Sequence, residues 1–254
     1  MITFSEAQIA AWLSPILWPF LRILGLFSVA PIFSMRNIPV RVKVGLALFI
    51  SIAAQPSLTG QPVIDVNSPA AMGAVVQQVG VGMAIGFAVR LVFGAVELAG
   101  ELIGLQMGLN FASFFNPASG GQTSAVSGFL GQISLLLFIV VNGHLTLIMA
   151  VVRSFQAFPA DGNILQMIKT VEIYRLGTDL FASALWVALP MIALLVFVNL
   201  ALGIISRVAP QMNIYAIGFP ITLTVGMVGI AATLPMLDAP LLALMDKVID
   251  LFIR

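Results

Sequence analysis

Long aliphatic runs alternate with short polar interludes along this chain. Apolar stretches extend from Ala7 to Met35, Val42 to Leu58, Ala70 to Val96, Ala125 to Val152, Leu180 to Ser206 and Ile214 to Leu237. Each approaches or exceeds the roughly 20 residues that cross a bilayer as a helix. Lipid offers the backbone no hydrogen bonds, so the pattern predicts helices throughout. Pro15, Pro19, Pro31, Pro190 and Pro220 fall inside these stretches. Each removes a backbone donor, so bent or broken helices are expected. Two segments have a different rhythm. Between Arg153 and Asp179, Ile164, Leu165, Ile168 and Val171 recur at helical spacing among Lys169, Glu172 and Arg175, which fits a short interfacial helix. The C-terminal "DAPLLALMDKVIDLFIR" places Leu241, Leu242, Met245, Val248, Ile249 and Phe252 on one face and Asp246, Lys247, Asp250 and Arg254 on the other. That is an amphipathic helix suited to a membrane surface or a partner.

Composition turns this pattern into a class. Of 254 residues, 60% are hydrophobic and 8% charged, and the mean hydropathy is +1.11, whereas soluble domains are about a quarter charged. The fold class is therefore an all-α integral membrane protein, a bundle of kinked and broken helices with five or six spans. A net charge of +1 without a basic cluster leaves no electrostatic footing for nucleic acid. The chain has no cysteine, which excludes disulfides and thiolate chemistry. The first stretch has Glu6 before it, no basic flank, and more than signal-peptide length, so it reads as retained. Lysine and arginine counts give no orientation. A simple six-span path sets Arg36, Arg41, Lys43 and Arg207 against Arg153, Lys169, Arg175, Lys247 and Arg254. The near tie suggests that some apolar stretches are hairpins or buried helices that never fully cross.

Few motifs carry chemistry. "GVGMAIG" at 80–86 has the wrong spacing for a dinucleotide fingerprint and lies inside an apolar helix. Gly82 and Gly86, and then Gly100, Gly104 and Gly108, are small residues four apart that let helix backbones approach closely. Arg90, Glu97 and Glu101 fall on one side of one helix. They read either as a proton or ion relay or as a charge cluster that fixes register. The second reading is preferred, because two carboxylates with one arginine fall short of a relay chain. Arg22, alone in the first stretch, is expected to meet an interior carbonyl or a neighbouring subunit. His144 is the only histidine, so it reads as a hydrogen-bonded bundle residue; metal ligation and catalysis both lack companions, and no cofactor is called for. Nothing assembles a nucleophile, a base and an orienting group, so no enzyme is expected.

The segment "NFASFFNPASGGQTSAVSGFLGQ" at 110–132 stands apart. From Leu102 to Val152 there is no Asp, Glu, Lys or Arg. Irregular backbone at membrane depth survives only when buried in protein or lining a wet cavity. Asn110, Ser113, Asn116, Ser119, Gln122, Thr123 and Ser124 suit such a cavity, Phe111, Phe114 and Phe115 form an apolar constriction, and Gly120 and Gly121 give freedom to swing. This describes a channel plug at 110–124; an ordinary exposed loop is the alternative.

"APIFSMRNIPVRVKVGLAL" at 30–48 and "RVAPQMNIYAIGFPITLTVG" at 207–226 resemble the signature segments of the FliR family, the R-type subunits of type III export gates. "GLQMGLNFASFFNP" and "NGHLTL" are in register with it, so the resemblance covers nearly the whole chain. It implies a gate component that passes unfolded flagellar proteins across the bacterial inner membrane at the flagellar basal body. The implied partners are several copies of the P-type and Q-type subunits and the B-type export switch protein. The implied architecture is one membrane-embedded domain, P-subunit-like over 1–179 and Q-subunit-like over 180–254, in a closed helical assembly raised above the bilayer. The family's plug role falls here on Phe111, Phe114, Phe115, Asn116 and Pro117, and more loosely on Ser119, Gly120 and Gly121. A helix with side chains is about 10–12 Å wide, so a polypeptide pore needs walls from several small proteins. The competing readings are a self-contained ion or small-solute transporter, which should show two related halves, and an inert scaffold.

Overall fold

The computed structural model describes residues 6–58, 64, 68–109, 124–161, 173–211 and 214–253. Its helices are α1 (Glu6–Val29), α2 (Val40–Ala54), α3 (Pro69–Gln106), α4 (Ala125–Val140), α5 (Gly143–Ala157), α6 (Ile173–Val208), α7 (Ile214–Thr233) and α8 (Asp238–Ile253). Short 3-10 turns extend α2 and α7. No strand occurs among the described residues. Among the described residues five helices have the length and apolar character of a span, six if α4 and α5 are taken as one broken span. The proposed interfacial helix falls mostly on 162–172, outside the described residues.

Prolines interrupt less than expected. Helix α1 continues through Pro15 and Pro19, α6 through Pro190 and α7 through Pro220, while Pro31 sits in the turn after α1. The one break inside a predicted span has no proline. The apolar stretch 125–152 divides at Val141–Asn142, where Asn142 takes a left-handed φ of 57°, a conformation asparagine tolerates better than most residues. Gly143 follows because a Cβ there would lie 2.5 Å from the Phe138 ring. Helix α3 also outruns its apolar stretch, continuing past Val96 to reach 38 residues.

The chain divides into two compact units, through which α3 runs. The first comprises Met1–Leu91, Phe138–Leu176 and Met245–Arg254. In it, α1 and α3 touch backbone to backbone. Gly25 lies against the Val79 carbonyl, Gly82 against the Arg22 carbonyl and Gly86 against the Leu26 carbonyl, so a side chain at any of them would displace a helix. Such contact replaces the hydrophobic effect as the source of cohesion where the surroundings are equally apolar. Around this crossing Trp18, Ala71, Ala74, Phe155 and Ala160 form a buried cluster.

Arg22 is fully buried in the same unit. Its Nε donates to Gln78 Oε1 at 2.8 Å, one terminal nitrogen to Ser154 Oγ at 2.9 Å and the other to the Phe158 carbonyl at 2.6 Å. The guanidinium lies 3.5 Å from the centre of the Phe155 ring. An interior carbonyl thus receives Arg22, as the sequence suggested, together with two side chains and a ring face. The amides continue the network outward: Gln78 Nε2 donates to Gln77 Oε1 at 3.2 Å, and Gln77 Nε2 to Asp161 Oδ1 at 2.7 Å.

The second unit comprises Val92–Leu137 and Gly177–Leu244. Here α3 meets α4 at Gly100, where a Cβ would lie 2.5 Å from Ser127 Cα. Gly226 of α7 admits the Met107 side chain, and Gly229 that of Met191. The C-terminal helix corrects one expectation. Leu241 of this unit, and Met245, Val248, Ile249 and Phe252, which belong to the first, are buried within the chain, so most of the apolar face of α8 is already covered and is not open to a membrane surface or a partner. Leu242 alone of that face is exposed.

Candidate functional site

Residues 110–123, with Phe111, Phe114, Phe115, Asn116, Pro117, Ser119, Gly120 and Gly121, lie outside the described residues. The site is therefore built from the two helix ends that hold them, both in the second unit.

Helix α3 ends by design. Gly108 adopts φ 82°, a left-handed position that costs a residue with a Cβ about 1–2 kcal/mol. The Gly108 N–H reaches the Leu105 carbonyl at 3.1 Å and the Leu109 N–H the Gly104 carbonyl at 3.0 Å. This crossed pair is a Schellman motif, which satisfies carbonyls that a helix end otherwise leaves open. A third contact comes from α7. The Thr222 hydroxyl is shared between the Met107 carbonyl at 3.2 Å and the Phe219 carbonyl at 3.1 Å. Met107 itself is buried.

On the far side, Ser124 opens α4. Its Oγ accepts the Ser127 N–H at 3.1 Å, and its own N–H donates to Glu101 Oε1 at 2.7 Å. This is the logic of a capping box, in which serine caps the third helical N–H and a glutamate returns to the cap's own N–H. The glutamate here comes from α3 instead of the same turn. A carboxylate at a helix N-terminus also opposes the positive end of the helix dipole. One turn earlier on α3, the Glu97 carbonyl accepts the Ser127 hydroxyl at 2.8 Å. Gly100, Glu101, Gly104 and Gly108, singled out separately in the sequence, thus act on one feature: they fix where the charge-free segment leaves α3 and where it rejoins at α4.

The charged side chains of Arg90 and Glu97, and His144, make none of these capping contacts. Arg90 is exposed in the first unit, and Glu97 is exposed with its side chain 3.2 Å from the Cβ position of Gly131. Neither makes an ion pair among the described residues. His144 is half-buried, and its Nδ1 has no hydrogen-bond partner among them, so the expected hydrogen-bonded histidine is not seen at that nitrogen. No group of three metal-ligating side chains occurs among the described residues. Sequence reasoning missed Gln77, Gln78, Ser127 and Thr222. Adjacent glutamines inside an apolar helix were the available signal, since polar groups there are expensive unless partnered. The two hydroxyl residues carried none, because their partners are 30 and 115 positions away.

Long apolar helices packed through glycine, with an uncharged segment between two capped helix ends, define an all-α integral membrane protein. The chain belongs to the bacterial export proteins, family 1, whose sequence pattern matches residues 13–248. It is 44% identical to the flagellar biosynthetic protein FliR of Escherichia coli (strain K12) over 237 residues, 93% of this chain and 90% of that protein. To the FliR of Pectobacterium carotovorum subsp. carotovorum it is 41% identical over 253 residues, 99% of this chain and 96% of that one. A more distant FliR, from Bacillus subtilis (strain 168), is 28% identical over 212 residues, 82% of each chain.

Proposed function

We propose that this chain is a subunit of the flagellar type III protein export gate in the bacterial inner membrane, and that residues 110–124 plug the channel through which unfolded flagellar proteins pass. Family membership and near full-length similarity to flagellar proteins support the export role. The plug rests chiefly on one observation. A segment bearing Phe111, Phe114 and Phe115 and no charge is flanked by two hydrogen-bonded helix ends, the Schellman turn at Gly108 and the Glu101-capped start of α4. Fixed ends with a charge-free interior suit a barrier that must return to one closed position after each passage. Phenylalanine side chains seal by excluding water, which blocks ions without binding them.

In this reading the chain works without catalysis. It contributes a P-subunit-like part over 1–179 and a Q-subunit-like part over 180–254, and its walls are completed by P-type and Q-type subunits with the B-type protein as switch. The test is conductance. Replacing Phe111, Phe114 and Phe115 together by glycine in the assembled complex should raise ion leakage severalfold across a planar bilayer. Conductance equal to that of the unaltered complex would refute the plug while leaving the export role standing.

A further inference from the structure

Helix α2 buries only Ala47, Ser51 and Ala54, a narrow strip at spacings of four and three, and it packs against α1. Nearly everything else on it is apolar and exposed: Val42, Val44, Leu46, Leu48, Phe49 and Ile52. At 100° per residue these six cover an arc of about 200°. A partner helix is met by a narrow stripe. An apolar surface wrapped around more than half of a helix suits a fluid solvent of hydrocarbon chains.

The charge at one end of this arc identifies the solvent. Arg36, Arg41 and Lys43 fall within one turn and the first turn of α2, and no Asp or Glu occurs between Glu6 and Asp65. Arg36 and Arg41 are exposed and have no hydrogen-bond or ion-pair partner among the described residues, while Lys43 Nζ donates to the Met35 carbonyl at 3.3 Å. Arg41, Gly45, Leu48 and Ile52 follow one line along the helix at spacings of four, three and four. A Cβ at Gly45 would meet nothing within 4 Å, so the line begins with a cation, passes an open notch and continues on apolar side chains. With the 3-10 turn that follows, Val40–Ser57 gives 18 residues, about 27 Å at 1.5 Å each, close to the hydrocarbon thickness.

We propose that this face of α2 docks an anionic phospholipid, its phosphate held by Arg36 and Arg41 and an acyl chain lying along Gly45, Leu48 and Ile52. Basic residues at the end of an apolar helix attract anionic headgroups, and their aliphatic stems extend to reach them.

Native mass spectrometry of the full-length chain in detergent tests this, with phosphatidylglycerol or phosphatidylcholine of identical acyl chains added. Phosphatidylglycerol should be retained preferentially. R36Q/R41Q should weaken its apparent Kd about twenty-five-fold, from roughly fivefold for each cation. R36K/R41K, which keeps both charges, should bind nearly as well as the parent. Equal retention of the two lipids by the parent, or an undiminished preference in R36Q/R41Q, would overturn the proposal. So would an R36Q/R41Q chain that binds both lipids as before yet loses membrane proteins that otherwise co-purify with it, since the face would then be a protein interface.

Discussion

Arg22 shows how a charge can be kept where water is absent. Its cation is spread over two side-chain oxygens, one carbonyl and a ring face, and the fork geometry of a guanidinium makes this distribution possible. An ammonium is a point charge and cannot span the same acceptors. Arg22→Lys should therefore lower stability by about 2 kcal/mol, the cost of leaving buried acceptors unmet, seen as a lower Tm of the full chain in one detergent. An unchanged Tm would show that the acceptors do not depend on the fork. The sequence marked Arg22 as an interior charge and suggested a carbonyl for it. The particular partners were not readable, because Ser154 and Phe158 are 132 and 136 positions away and no local pattern encodes such a pairing. Glu101 has the same history. Its acidic character was plain, but its use as a borrowed capping residue depends on α4 arriving 23 positions later.

Elements were more legible than their limits. The apolar stretches alone located each helix of span length among the described residues, since hydrocarbon leaves the helix as the only way to satisfy the backbone. The break between α4 and α5 was hidden inside an unbroken apolar run, although Asn142-Gly143 is a turn dipeptide that marks it locally. Helix α3 outlasts its apolar stretch because Glu97 and Glu101 reduce hydropathy without reducing helix propensity. Glycine has two opposite meanings within these helices. Gly82 lies under the Arg22 carbonyl, whereas Gly45 faces open space. Gly82→Ala should cost roughly 1–3 kcal/mol by overpacking, while Gly45→Ala should gain about 0.5–1 kcal/mol of helix stability. Thermal unfolding of the two variants side by side checks the sign. A shift in the same direction for both would mean that the α1–α3 contact is looser than the backbone positions indicate.

For the whole molecule, exposed apolar surface outweighs what one chain can cover. Phe181, Trp186, Phe197, Leu200 and Ile204 on α6 and Phe219, Met227 and Val228 on α7 are exposed in the isolated chain. The proposed polypeptide-wide pore would call for more wall than these helices supply. Native mass measurement of the chain extracted in mild detergent from flagellated cells should find it in a hetero-complex with other membrane proteins in fixed, unequal numbers. A monomer under all mild conditions would contradict a shared channel. The buried guanidinium also orders the birth of the protein. At the ribosome, α1 emerges with a positive charge in its middle and waits 136 positions for the carbonyl that completes its coordination. Until then the helix is a costly tenant of the bilayer core. The guanidinium can therefore be fully coordinated only once Phe158, just past α5, has been translated, and a chain stopped before it should leave Arg22 short of an acceptor.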